Sequence, residues 1–216
     1  MILETLAVGP FQANCYILGD ETTRQALVLD PGADFEKIID TLQSHQLKVD
    51  KIVLTHAHGD HIGAVRELME QTQAELYLHE ADLPLLTNPK YNLSEAYGLP
   101  IAVKTSTKFL LEGNEVTCGT VRMTVIHTPG HTPGGICLLG DGFLFTGDTL
   151  FNGSVGRTDF PYSSTEILMQ SIVAKIMVLD DETKIYPGHG PASRLGWEKK
   201  YNPFLAKGFL FQFMIK

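Results

Sequence analysis

Apolar runs that stop at turn residues punctuate the first part of the chain: Ala26–Asp30 before Pro31-Gly32, Lys51–Thr55 before a histidine cluster, and Ala74–His79. Each has the length and bounding residues of a buried strand. Between them the period changes. Phe35, Ile38, Ile39 and Leu42 recur at helical spacing after Asp34, a natural N-cap residue, and Ile62, Val65, Leu68 and Met69 recur likewise. The middle is strand-rich, with Glu115–Cys118, Val121–Ile126, Ile136–Leu139 and Phe143–Thr146 separated by glycine-containing turns. A helix from about Ser164 to Val178 and a short strand at Lys184–Tyr186 follow. Strands and helices thus come in two similar passes, which predicts two sheets packed face to face with helices outside.

The chain has 216 residues, 44% hydrophobic and 19% charged, the composition of a water-soluble globular protein with room for a sizeable core. No linker or repeat divides it, so residues 1–205 read as one domain. Residues 206–216 form an apolar tail too short to span a bilayer. That tail reads as a packing or association segment, leaving a homo-oligomer open, or as an appendage unrelated to the fold. The start, Met1–Thr5, has no basic stretch leading into an apolar run, so no secretory signal is expected. Three scattered cysteines without CxxC spacing predict reduced thiols and a cytoplasmic setting. The formal net charge of −8 disfavours nucleic acid and anionic membranes as partners.

Among eight histidines, His56, His58, His61, His131 and His189 each stand where an apolar run ends against Gly, Pro or Asp. The densest stretch is Thr55-His56-Ala57-His58-Gly59-Asp60-His61. No regular helix or strand points all these groups to one place. A turn at Gly59 followed by a helix start lets the first two histidines meet one ion and the Asp60-His61 pair a second. Thr128-Pro129-Gly130-His131, Thr146-Gly147-Asp148 and Tyr186-Pro187-Gly188-His189 each add one ligand-type residue after a strand and a tight turn. Imidazole and carboxylate donors without thiolate suit Zn²⁺, Fe or Mn²⁺ and argue against a closed structural zinc site.

With these residues in hand, the chain resembles the metallo-β-lactamase superfamily, whose HxHxDH motif reads here as His56–His61. The resemblance runs from Gln12–Tyr16 through Asp30-Pro31-Gly32 to Asn202–Leu205. It is nearest the glyoxalase II-like (hydroxyacylglutathione hydrolase-like) branch through Thr128–Gly134 and Gly156–Phe160. It implies an α+β fold, a four-layer αβ/βα sandwich of two mixed β-sheets flanked by helices, with the site at one edge. It also implies two divalent metal ions per chain, zinc first and Fe or Mn as alternatives. His56, His58 and His131 would hold one, Asp60, His61 and His189 the other, and Asp148 would bridge them. The implied activity is hydrolysis of a small-molecule thioester such as a hydroxyacylglutathione by a metal-bridging hydroxide, with Asp60 and Asp148 as the catalytic carboxylates.

The resemblance also departs in places. Glyoxalase II carries a long C-terminal helical segment that helps to grip glutathione, whereas here 27 residues follow His189. Common β-lactamases have Cys where this chain has Asp148. Persulfide dioxygenases share the 156–160 motif and need one iron on His56, His131 and Asp148, a two-histidine, one-carboxylate set. A hydrolase of another small ester or lactone, or a metal-stabilised binding module, are further readings.

The neighbours of these residues carry weaker signals. Arg157 is a candidate for a substrate carboxylate, or a partner of Asp159. Asp30 either holds a ligating imidazole or makes a plain turn, and Thr55 and Thr128 either bond the adjacent ligands or serve as strand residues. His45, His79 and His127 complete no ligand spacing, His127 being only a candidate neighbour of the ligands. Residues 88–104, rich in turn formers and tyrosine, are expected to overhang the site.

Overall fold

Side chains alternate between two covered faces along the central strands, and this alternation builds the layers. The structure, a computed structural model, describes residues 1–205, so the expected tail at 206–216 lies outside the described residues. The first sheet has the order β1-β2-β3-β4-β5-β6, from β1 (Ile2–Val8), β2 (Ala13–Gly19), β3 (Gln25–Leu29), β4 (Lys48–Val53), β5 (Glu75–Leu78) and β6 (Thr107–Phe109). Helices α1 (Phe35–Ser44), α2 (Gly59–Ile62), α3 (Val65–Thr72) and α4 (Leu83–Thr87) fall between its strands in the chain. The second sheet has the order β14-β13-β10-β9-β8-β7. It is built from β7 (Glu115–Cys118), β8 (Val121–His127), β9 (Ile136–Leu139), β10 (Phe143–Gly147), β13 (Lys184–Pro187) and β14 (Ser193–Arg194). A small ribbon of β11 (Leu150–Phe151) and β12 (Ser154–Val155), with helices α5 (Thr165–Ser171) and α6 (Leu195–Tyr201), completes the described chain. Both large sheets mix parallel and antiparallel pairs.

Three apolar layers result. Tyr16, Leu18, Leu27, Leu29 and Val53 of the first sheet meet Met123, Val125, Ile136, Leu138 and Phe145 of the second. The alternate residues Ile17, Ala26, Val28 and Ile52 pack outward on Ile38, Leu42, Val65 and Leu68 of α1 and α3. Ile126, Leu144 and Ile185 pack the other way on Leu168, Met169, Ile172 and Ile176. The expected αβ/βα sandwich is thus present. With both faces of its sheet covered, every residue of β2 is buried.

The structure corrects several local expectations. Asp34 does occupy the N-cap position of α1, but with a left-handed backbone and no capping bond; its carboxylate accepts from the Gly9 N–H at 3.0 Å. The helix expected through Ile62 and Val65 is broken between α2 and α3. There Gly63 lies so close to Gly32 that a Cβ would stand 2.2 Å from the Gly32 carbonyl oxygen. The helix expected over 164–178 is α-helical only to Ser171, with Ser164 capping it by accepting from the Ile167 N–H, and continues over Ile172–Ile176 with π-type bonding. The β1–β2 hairpin was not expected at all.

Candidate metal centre

Chain ends of strands from both sheets converge on one edge of the sandwich. After β4 come Thr55, His56 and His58, with Asp60 and His61 in the first turn of α2; β8, β10 and β13 lead to His131, Asp148 and His189. Their donor atoms cluster as His56/His58/His131 and as Asp60/His61/His189, all ligand-type atoms of a group lying within 4.8 Å of one another. The Asp148 carboxylate stands between the two groups, 3.4 Å from His131 Nε2, 3.5 Å from His61 Nε2 and 3.7 Å from His189 Nε2. All seven residues expected from the sequence are therefore brought together.

The second ring nitrogens explain how the histidines are aimed. Nδ1 of His131 donates to the Arg157 carbonyl at 2.7 Å and Nδ1 of His189 to the Phe11 carbonyl at 3.2 Å. Nδ1 of His61 donates to Asp30 Oδ2 at 3.1 Å. The Thr55 hydroxyl donates to the same Asp30 oxygen at 2.5 Å, so it accepts from His56 Nδ1 at 3.1 Å. In the uncharged rings the proton sits on Nδ1 of these four histidines, which leaves each Nε2 to present its lone pair to the centre. Asp30 thus orients two histidines at once, while its other oxygen takes the Thr55 N–H at 2.7 Å. A third potential ligand group, Asp30/His56/His61, contains this same aspartate, whose oxygens are already spent on those bonds.

Electrostatics separate the two ends. Burial, followed by the neighbouring imidazoles, holds His56 and His58 well below the ordinary histidine range, and burial also lowers His131. Burial pulls His61 the same way, but Asp60, Asp148 and Asp30 outweigh it and push it up to about 10; bonding to Asp60 similarly raises His189. Burial opposes ionisation of Asp60, yet His61 and His189 hold its carboxyl below the usual range. At neutral pH one group therefore offers three uncharged imidazoles, and the other an anion whose histidine protons a cation displaces.

These residues fit a metal. Among the described residues, His56 Nε2 and Asp148 Oδ1 are buried with no hydrogen-bond partner, and both face the cluster. An unpartnered buried lone pair is costly unless a cation meets it. Bound divalent ions would supply Lewis acidity and a hydroxide nucleophile near neutral pH.

Glycines let the turns come this close. A Cβ on Gly188 would stand 2.1 Å from Asp148 Oδ1, and one on Gly156 would stand 1.8 Å from the Asp148 carbonyl oxygen.

Two further residues hold the frame, and neither was singled out for that role from the sequence. Asp82 is fully buried. It accepts from the Ala57 N–H at 3.0 Å, between His56 and His58, and from the Thr132 hydroxyl at 2.9 Å and the Gly134 N–H at 2.6 Å, just after His131. Desolvation, against those bonds, pushes its carboxyl up to about 6. Asn14 on β2 donates from its amide to the Pro187 and Gly190 carbonyls at 2.9 and 2.8 Å, bracketing His189 from the opposite sheet. An aspartate far from any motif gives no sequence signal, whereas Asn14 sits inside the quoted 12–16 stretch.

The remaining candidates divide. Arg157 lines the cavity at the centre, but its guanidinium is paired with exposed Asp159 at 2.8 Å and lies 4.5 Å from the Phe160 ring; its backbone carbonyl is what holds His131. Thr55 bonds a ligand-type histidine, whereas the Thr128 hydroxyl meets Thr149 and Cys137. His127 stacks on His79 at 3.9 Å, and His45 pairs with Glu4. Of residues 88–104, Leu93 and Tyr97 reach the cavity of about 320 Å³ beside the cluster.

The chain matches the metallo-beta-lactamase superfamily over residues 8–189. It belongs to that superfamily. Hydroxyacylglutathione hydrolase GloC of Haemophilus influenzae is 35% identical over 214 residues, 95% of this chain and 98% of its own length. Among solved structures, BLEG-1 B3 metallo-beta-lactamase superposes with a TM-score of 0.90 at 38% identity, covering 95% of this chain and 100% of that one. TTHA1623 in a di-iron-bound form gives 0.84 at 38% identity, covering 94% and 100%. This metallo-beta-lactamase superfamily chain thus carries a metal-binding architecture of the metal-dependent enzyme type. Among the described residues no helix is long and apolar enough to cross a membrane.

Proposed function

We propose that the protein is a dinuclear metal hydrolase that cleaves a small-molecule thioester, of the hydroxyacylglutathione type or close to it, within a single unit over residues 1–205. His56, His58 and His131 would hold one ion, Asp60, His61 and His189 the other, and Asp148 both. The observation that carries this reading is the pair of ligand groups around Asp148, with unpartnered His56 Nε2 and Asp148 Oδ1 facing inward. The kinship with a hydrolase named for hydroxyacylglutathione supports the substrate class.

The cavity wall also supports it. Besides the clustered His and Asp residues, the lining consists of Phe11, Leu93, Tyr97, Phe151, Arg157 and Phe160. That wall excludes water from one side of a bound carbonyl and offers few proton donors to a leaving group. A thiolate, whose conjugate acid has a pKa near about 8.5, departs without one, whereas an amine does not. Asp60 and Asp148 provide the negative charge that would hold the cations in place, and the Nδ1 partners keep His56, His61, His131 and His189 turned toward the centre.

The test is metal analysis of protein purified without added metal, with aerobic and anaerobic assays of a lactoyl thioester of glutathione and of glutathione persulfide. About two metal ions per chain and oxygen-independent thioester cleavage are expected. One iron per chain, with oxygen uptake on persulfide and no thioester cleavage, would replace the proposal by a dioxygenase.

A further inference from the structure

A second cavity, of about 280 Å³, adjoins the metal-side cavity and shares Phe11, Asp60 and Tyr97 with it. The Phe11 and Tyr97 rings, 4.5 Å apart and 44% and 45% exposed, form the partition between the two. Behind it the wall is apolar side chain and bare backbone: Val8, Pro10, Ala33, Leu99 and Ile101 around glycines such as Gly32 and Gly63. Behind the Phe11–Tyr97 partition the one side-chain hydroxyl among the described residues is already engaged, since Ser94 Oγ accepts from the Ile101 N–H at 2.8 Å and reaches the Pro89 carbonyl at 3.5 Å. Its one charge is Asp60, an anion turned toward the histidines. Leu99 is 65% exposed, so apolar surface there is still open to be covered.

We infer that this annex takes the acyl chain of the substrate, and that the enzyme prefers thioesters of unsubstituted apolar acyl groups about four to six carbons long. The inference rests on the thioesterase reading. A thioester carbonyl at the cluster has two arms. The thiol arm leaves as an anion and meets no cationic side chain among the described residues of the apolar annex, whereas Arg157 lies in the wall of the metal-side cavity only; Asp60 edges both cavities and does not sort the arms. That sorts the carrier toward Arg157 and the acyl arm past Phe11 and Tyr97. A hydroxyl or charge on the far acyl carbons, lying behind the Phe11–Tyr97 partition, finds no free side-chain hydroxyl there, whereas methylenes gain by leaving water. A cavity of about 150 Å³ with apolar walls already accommodates benzene, so a short chain fits this one.

The experiment measures kcat/KM for acetyl, butyryl, hexanoyl and octanoyl thioesters of glutathione, with calorimetric binding of acetate, butyrate and hexanoate to the metal-loaded enzyme. Each wholly buried methylene is worth about fourfold, so the hexanoyl ester should exceed the acetyl ester by tenfold or more, with no gain at octanoyl. Ala33→Leu fills the annex and should abolish the gain, so that the hexanoyl ester no longer exceeds the acetyl ester. Ile101→Ala enlarges it and should move the optimum to a longer chain, which keeps the test open if Ala33→Leu does not fold. A flat chain-length series, or one that neither variant alters, overturns the inference. If no thioester is cleaved, the thioesterase reading fails by itself. The annex is then decided by the carboxylates, where hexanoate binding no tighter than acetate overturns it and a tenfold preference lost in Ala33→Leu sustains it.

Discussion

Replacing Asp30 by asparagine keeps the shape of the side chain and suits the backbone, because Asp30 has a φ of 50° and asparagine tolerates the left-handed region. The change is confined to one acceptor. One asparagine oxygen still accepts from the Thr55 N–H, but an NH₂ group now occupies the position of Oδ2, which takes both the Thr55 hydroxyl and His61 Nδ1. Thr55 can turn its hydroxyl to accept. His61 has no such freedom: its Nδ1–H would face a donor in a fully buried site, so the ring moves its proton to Nε2 and loses the lone pair aimed at the centre. His56 loses the fixed acceptor on its own Nδ1 because Thr55 has turned. Loss of such an orienting partner typically lowers metal affinity about 10- to 100-fold, equivalent to roughly 1.4–2.7 kcal/mol. The assay is competition with a chelator of known affinity, alongside Thr55→Val, which removes only the His56 arm and should show the smaller loss. A shift of the His61 imidazole nitrogens in NMR reports the tautomer directly. Asp30→Asn retaining metal within twofold of the parent protein would refute the relay.

Other expected outcomes follow from the same geometry. Asp82→Ala leaves the buried Ala57 and Gly134 N–H groups without a partner at about 1–3 kcal/mol each, so urea unfolding should show a loss of about 2–6 kcal/mol; a change under 1 kcal/mol would contradict the tie. Gly188→Ala drives a methyl against Asp148 and should lower metal per chain while circular dichroism stays close to that of the parent. Asp20 accepts from Thr22, Thr23 and Thr120, and these bonds, the Thr120 hydroxyl foremost, hold its carboxyl below the usual carboxylate range. That depressed group adds stability which is fully present above about pH 4 and is lost on acidification. The melting-point gap between parent and Asp20→Asn should accordingly be full at pH 6 and shrink below pH 4.

The histidine motif and the strand ends carrying its distant partners were legible because each needs only local punctuation: an apolar run, a turn residue, then a ligand. Layering was legible too, since Leu27 and Leu29 alternate with Ala26 and Val28 between two cores. What stayed hidden depends on contacts far apart in sequence. Asp82 reaches Ala57 across 25 positions and Gly134 across 52, and nothing in Ala81-Asp82-Leu83 announces either. Asp34 reads as a helix cap until Gly9, 25 residues away, claims its carboxylate. The β1 strand shows only a weak burial rhythm, being exposed or half-buried everywhere but Val8, so its apolar pattern is too faint to mark it. Thr55 and Thr128 look alike in sequence, each preceding or nearing a ligand, and only the position of Asp30 decides between them.

The glycine crossings beside Asp148 and between Gly32 and Gly63 bear on how such a protein can be re-tooled. At Gly32 a Cβ would lie 1.7 Å from the Asp60 carbonyl oxygen, a separation that no rotamer change relieves because both parties are main chain. Random mutagenesis will therefore find Gly32 and Gly63 closed to every other residue, however mild. Half-exposed Tyr97 and exposed Leu99 line the neighbouring cavity, and among the described residues no hydrogen bond ties either side chain to the ligand turns, unlike Asn92, whose carbonyl accepts from the Gly59 N–H. New substrate preferences are best sought by diversifying Tyr97 and Leu99, with the glycine crossings left invariant in any library.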